Sequence, residues 1–151
     1  RAADWNAPLD VDLRAAFLCA QAAVPHMRAQ GTGRIINFSD WVARSGRPRY
    51  LGFVPYYVAK AGVIALTEAL ALELSADNIL VNAIAPGYIA TKNTSALQAD
   101  ETRNRQILER IPAGRWGKPD HIAGAAVFLS SAASDYLQGH VLVVDGGWMG
   151  R

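Results

Sequence analysis

Two residues in this sequence stand at a spacing that could move a proton. In Tyr56-Tyr57-Val58-Ala59-Lys60 the first and last residues are four apart, so on a helix they share one face. A free tyrosine has a pKa of about 10, too high for easy proton exchange at neutral pH. A nearby ammonium and the positive end of a helix both favour the phenolate and pull that pKa down. A tyrosine so placed is a general acid or base for a carbonyl and alcohol pair. Tyr57 has Ala61 four residues on and lacks such a partner. Taken alone, Tyr-x-x-x-Lys is a weak signal, and an amphipathic tyrosine beside a surface lysine is the plainer reading.

Asp40 is the second candidate. It ends the run Arg34-Ile35-Ile36-Asn37-Phe38-Ser39 and opens a long loop. The carboxyl ends of parallel strands are where α/β sheets bind ligands. A helix or loop cap is an equally good reading of the same aspartate. Ser39 is the rival, but neighbouring strand residues point to opposite faces, so one of the two faces Tyr56. Arg44, Arg47 and Arg49 in the same loop could steer an acidic substrate, though solvation alone explains them as well. Cys19 reads as a small apolar packing residue. His26, His121 and His140 read as surface or polar-pocket residues, and with one cysteine they offer no metal-site spacing.

These residues need elements to position them. Helical spacing of Leu9, Leu13, Ala16, Phe17 and Ala20 predicts one helix from about Trp5 to Gln30, stopped by Gly31 and Gly33 and kinked at Pro25. Arg34 to Ser39 predicts a buried strand. Asp40 to Pro55 reads as a loop punctuated by Gly46, Pro48 and Gly52. A helix follows to about Ser75, so apolar that it should be buried in a core or an interface. Ile79 to Ile84 is the next strand, closed by Pro86-Gly87. Thr94 to Arg110 reads as a pair of short helices over a cleft. Pro119 to Ser130 is a helix with proline and Asp120 in its first turn, and Val141 to Val144 is the last strand. This alternation predicts an α/β fold with parallel strands and helical crossovers.

A length of 151 residues suits one domain, and about half are apolar, enough for a sizeable core. A net charge of +2 is too small to suggest a nucleic-acid or anionic-membrane partner. The lone cysteine cannot form an internal disulfide, so a reducing, cytoplasmic setting is the expectation. The chain opens on Arg1 without a signal-peptide pattern, and no apolar stretch reaches membrane-spanning length. Arg1 therefore reads as the middle of something longer. None of the 13 glycines forms a phosphate-cradling G-x-G-x-x-G turn or a P-loop. No G-x-S-x-G or H-E-x-x-H occurs either.

In combination the motifs are more specific. Ile35-Ile36-Asn37-Phe38-Ser39, Tyr56-x-x-x-Lys60-Ala61-Gly62, Val81-Asn82-Ala83-Ile84-Ala85-Pro86-Gly87, Arg115-Trp116-Gly117-Lys118-Pro119 with Ile122-Ala123 and Phe128-Leu129-Ser130, and Asp145-Gly146-Gly147 resemble the short-chain dehydrogenase/reductase family in order and spacing. The resemblance covers nearly the whole chain and matches the later part of that family's doubly wound Rossmann sheet. It implies a partial Rossmann-like fold of three later strands with flanking helices, and an amino-terminal phosphate-binding part outside this sequence.

The resemblance also implies roles. Tyr56 is the catalytic acid/base. Lys60 lowers its pKa and holds the nicotinamide ribose. Pro86, Gly87, Ile89 and Thr91 lie along the nicotinamide and its carboxamide, and the polar stretch after Thr91 is the substrate lid. Two positions depart from the family. Asp40 stands where a serine is usual, which looks like the pteridine reductase branch. A carboxylate accepts hydrogen bonds from ring or amino N–H groups and repels a developing alkoxide. Asp12, in Val11-Asp12-Leu13, stands where an asparagine usually supports the proton relay, and lacks its amide donors.

The expected function is hydride transfer between NAD or NADP and a small-molecule carbonyl, alcohol or imine, in a homo-oligomer (dimer or tetramer). The alternatives are a pteridine-type reductase and a catalytically silent half-domain serving oligomerisation. No metal, nucleic acid or membrane is expected as a partner.

Overall fold

Three short runs, each bounded by glycine, asparagine or proline, form one parallel sheet in the computed structural model, which describes residues 2–45 and 53–150. Strand β1 is Gly33–Phe38, β2 is Ile79–Pro86 and β3 is Val141–Val144, in the order β1-β2-β3. Gly33 pairs with Ile79 and Phe38 with Ile84, while Ala83 pairs with Val141 and Pro86 with Val144. The α/β architecture is the expected one. Because all strands run the same way, their carboxyl ends share one edge. Asp40, Gly87 and Asp145 all follow a strand there.

The first helical run departs from expectation. It comprises α1 (Ala2–Pro8), a π-helical segment (Leu9–Arg14) and α2 (Ala15–Gln30). Pro8 has no N–H to donate and directly precedes the π segment, where the backbone switches to wider turns. Helix α2 continues through Pro25 and ends at Gly31, whose φ of 73° lets its N–H close onto Arg28 and Met27. It buries Ala20 and Val24. Cys19 is exposed on the other side, so it does not pack as an interior residue as expected.

The stretch after β1 is not all loop: a short helix, α3 (Trp41–Ser45), begins at once after Asp40. The expected turn residues Gly46, Pro48 and Gly52, with Arg47 and Arg49, lie outside the described residues. Helix α4 (Val54–Leu74) has Pro55 in its first turn. Its Ala59, Val63, Thr67, Ala71 and Leu74 form one buried stripe, but Leu72 is 83% exposed, so the helix is not sunk in the core on all sides. The stripe meets Val24 of α2 and Ile79 and Val81 of β2, and farther along Ile64 meets Ala83, Ala85 and Val141.

Helices α5 (Ser95–Ala99) and α6 (Glu101–Leu108) are the expected short pair, and α7 (Pro119–Ser130) lies against all three strands. Two side-chain amides, the buried Asn82 and the half-buried Gln138, tie these parts together. Asn82 donates to the Leu137 carbonyl and accepts from His140, each at 2.9 Å. Gln138 accepts from Val81 at 2.7 Å and donates to Ala71 at 2.8 Å. No helix among the described residues is long and apolar enough to cross a membrane.

Candidate active site

The site forms where the ends of β1 and β2 meet the first turns of α4. Asp40 sits immediately beyond β1 and does two things. Its Oδ1 accepts from the Val42 amide at 2.8 Å, capping α3, and its Oδ2 accepts from the Tyr56 hydroxyl at 2.8 Å. One carboxylate thus caps the helix and also faces Tyr56, the two positions that its cap and site readings require. Ser39 turns the other way and donates to the Lys60 carbonyl at 2.8 Å, inside the core.

Lys60 lies one turn above Tyr56, with its ammonium 5.6 Å from the tyrosine ring centre. Its Nζ is 2.9 Å from Asp12 Oδ1 and donates to the Phe38 carbonyl at 3.1 Å. Asp12 reaches it from the π segment. Gly62 permits this approach, since a Cβ there would lie 2.6 Å from Leu13 Cδ2. The Gly62 of the Tyr56-to-Gly62 motif therefore has a packing reason.

The electrostatics reverse one expectation. Burial, the charge of Asp40, the hydrogen bond to it and the charge of Asp12 all push the Tyr56 hydroxyl above its ordinary pKa. Lys60 was expected to lower it, but its ammonium is held by Asp12, while the nearer Asp40 carboxylate disfavours a phenolate. Burial also raises the Asp40 carboxyl, against the Val42 amide, the Tyr56 hydroxyl and Lys60, with Asp12 adding to the rise. The arrangement can pass a proton from Tyr56 to Asp40 as another enters Tyr56. It does not hold a preformed phenolate.

The segment beyond β2 is fixed by its neighbours. A Cβ on Gly87 would lie 2.5 Å from the Asp145 Cα, so only glycine lets this turn sit against the end of β3, with its N–H on the Val144 carbonyl at 2.9 Å. Ile89 bridges Gly117, with Gly117 N–H on Tyr88 O and Ala90 N–H on Gly117 O, both 2.9 Å. In a parallel bridge this turns the amide and carbonyl of Ile89 to the opposite side. There Thr94 Oγ1 donates to the Ile89 carbonyl at 2.8 Å and accepts from the Thr91 amide at 3.0 Å. These residues fit a nicotinamide. The Ile89 amide faces away from Gly117, and Lys60 has three N–H donors with two partners.

A cavity of about 170 Å³ opens beside the Asp40–Tyr56 pair, lined also by Trp41, Tyr57, Tyr88, Leu97 and Arg103. Its aromatic wall continues inward, where Trp148 lies 5.1 Å from Trp41 and 4.7 Å from Tyr88 between ring centres. Asp145 sends Trp148 there. Its carboxylate accepts from Gly147 at 2.8 Å and from Met149 at 2.9 Å, while Gly146 and Gly147 take φ of 66° and 89°. Asp145-Gly146-Gly147 is therefore a turn that returns the chain to the site.

The structure brings the expected Tyr56, Lys60, Asp40 and Asp12 together at one place, and it sets beside them Thr94, Trp41, Tyr88 and Arg103, which sequence reasoning did not single out. Thr91-x-x-Thr94 was a readable turn signal, whereas the other three carry no local one. Arg44 is exposed, and His26 and His140 are exposed as expected. His121 Nδ1 accepts from the Lys118 amide at 2.9 Å at the start of α7.

The family model described as enoyl-(acyl carrier protein) reductase matches residues 1–149. The chain is 48% identical over 150 residues to 2-dehydro-3-deoxy-D-gluconate 5-dehydrogenase of Escherichia coli (strain K12), covering 98% of this chain and 58% of the relative. A putative 2-deoxy-D-gluconate 3-dehydrogenase from Agrobacterium tumefaciens, crystallised with bound NADP, is 51% identical with a TM-score of 0.92, over 100% of this chain and 61% of that one. A gluconate 5-dehydrogenase from Burkholderia cenocepacia J2315, in complex with NADP and tartrate, is 39% identical with a TM-score of 0.93, over 100% and 58%. The chain thus spans about three-fifths of the length of these proteins. Their substrates are sugar acids by name, and the pteridine branch suggested by Asp40 finds no support among them.

Proposed function

Since this chain belongs to the short-chain dehydrogenase/reductase family, we propose that it is the proton-transfer and substrate-binding part of an NAD(P)-dependent oxidoreductase acting on a sugar acid of the gluconate type. The observation that carries this reading is the 2.8 Å hydrogen bond from Tyr56 to Asp40 beside a cavity of about 170 Å³. The phosphate-binding part would belong to the remainder of such a domain.

NAD or NADP would take the hydride in alcohol oxidation and supply it in the reverse direction. Pro86, Gly87, Ile89 and Thr91 would lie along its nicotinamide, and Lys60 would hold its ribose. Tyr56 carries the proton. In oxidation the substrate hydroxyl donates to Tyr56 Oη while the tyrosine proton passes to Asp40 Oδ2, which ends as a carboxylic acid. In reduction Asp40 returns the proton to Tyr56 as Tyr56 protonates the carbonyl oxygen. The raised pKa of Asp40 makes it a better temporary acceptor than an ordinary carboxylate. Asp12 fixes the Lys60 ammonium and so the position of the ribose.

The outward apolar residues Val11, Phe17 and Leu18 of the first helical run, with Leu72 of α4, support self-association as a homo-oligomer.

The test is to assay the complete protein with NAD and NADP on D-gluconate and its 5-keto product, beside Tyr56→Phe. We expect turnover of the acid and a loss of at least about 100-fold in the variant. Absence of turnover on every sugar acid would overturn the substrate class. Near-normal turnover of Tyr56→Phe would overturn the role of Tyr56.

A further inference from the structure

We propose that Arg103 is the residue that reads the substrate carboxylate, an inference that rests on the sugar-acid reading above. Two charged side chains, Asp40 and Arg103, stand among the described residues lining the cavity, and the other described lining residues are aromatic or apolar apart from the tyrosine hydroxyls. A substrate anion entering beside Asp40 meets a like charge in a low-dielectric setting, which opposes binding unless a cation answers it. Lys60 does not line this cavity, and the donor it has left beyond Asp12 and the Phe38 carbonyl is the one assigned to the ribose. Among the described residues, Arg103 is the cation on the cavity wall.

Its backbone is well anchored. Asp100 Oδ1 accepts from the Arg103 amide at 3.0 Å and caps α6, while Ile107 of the same helix is buried with Trp41 and Trp148. The helix that presents Arg103 is thereby keyed to the aromatic wall of the site. A guanidinium has five donors in a planar fork, so it can hold a carboxylate with two and still keep a contact within the protein. With the carboxylate on Arg103 and the reacting carbon at Tyr56, the pocket would discriminate a polyhydroxy acid from the polyol of the same length.

The probes are D-gluconate and D-glucitol, which differ by a carboxylate against a terminal hydroxymethyl group. Binding of each to the complete enzyme with reduced cofactor, so that no turnover occurs, is measured by calorimetry for the parent, Arg103→Lys and Arg103→Met. Thermal unfolding checks that each variant is folded. We expect Arg103→Met to weaken D-gluconate at least about tenfold and Arg103→Lys to fall between, with D-glucitol unchanged in all three. Equal weakening of both ligands, no weakening of either, or a parent that does not bind D-gluconate would overturn the inference. If gluconate binding depends on Arg103 but the parent oxidises no sugar acid, the carboxylate role stands and the substrate reading fails.

Discussion

The Tyr56 hydroxyl donates a hydrogen bond to the Asp40 carboxylate, 2.8 Å away and across the gap between the end of β1 and the start of α4. That direction matters, because a tyrosine donating to an anion stays protonated. Lys60, the partner that spacing assigned to Tyr56, instead faces Asp12.

Tyr56 should therefore not titrate with the other tyrosines. Its pKa is raised above the ordinary value near 10 by burial and by Asp40. In an ultraviolet titration of the complete protein, Tyr56→Phe should leave the absorbance change near pH 10 unchanged, and Asp40→Asn should lower the Tyr56 pKa while burial still holds it above the ordinary value. A folded state that binds this proton more tightly than the unfolded chain loses stability as pH rises above about 10. A Tyr56→Phe signal reduced by one tyrosine near pH 10 would refute the raised pKa.

Alcohol oxidation requires Asp40 ionised, and its carboxyl sits above the ordinary carboxylate range. The rate should fall as pH drops through that raised value, and reduction should show the opposite limb. Asp40→Asn keeps an acceptor for Val42 but cannot take the proton, so it should lose about 100-fold in oxidation and lose this acid limb. The folded carboxyl also binds its proton more tightly than the unfolded one. The contribution of Asp40 to stability is thus greatest at low pH and declines as pH rises from near 3.8 through the raised value. An unchanged pH profile in Asp40→Asn would count against the relay.

Asp12→Ala should strand the Lys60 ammonium with only the Phe38 carbonyl. Both side chains are largely covered, at 11% exposure for Lys60 and 24% for Asp12, so the loss should be about 2 kcal/mol in urea unfolding. Asp12→Asn removes the like charge near Tyr56 and Asp40, so both pKa values should fall. A neutral Asp12→Ala would mean that the pair contributes nothing.

Two glycines should answer alanine in opposite ways. At Gly87 the new methyl meets the Asp145 backbone at 2.5 Å, so Gly87→Ala should cost about 1–3 kcal/mol. At Gly124, inside α7, nothing lies within 4 Å of the new methyl, so Gly124→Ala should stabilise by roughly 0.5–1 kcal/mol. Thermal midpoints compare them directly, and a reversed order would contradict the close packing of the β2 and β3 ends.

The sequence by itself determined what depends on neighbours along the chain. The β-branched runs, cut off by breakers, located all three strands, and Pro55 and Pro119 marked the starts of α4 and α7. Four-residue spacing put Tyr56 and Lys60 on one face, and alternation along β1 separated Ser39 from Asp40. The family-like motifs were also local, and several prove structural: Gly62 makes room for Leu13, Asn82 spans Leu137 and His140, and Asp145-Gly146-Gly147 turns the chain. Only the tertiary structure decided where the charges point. The pKa of Tyr56 follows from burial and from which of Lys60, Asp40 and Asp12 stands nearest, and those three come from separate elements. The Leu9–Arg14 π segment that carries Asp12, and the placing of Arg103 on the cavity wall, are likewise products of long-range packing. Spacing fixes a side chain's face, but the sign of its electrostatic environment is a sum over residues remote in sequence.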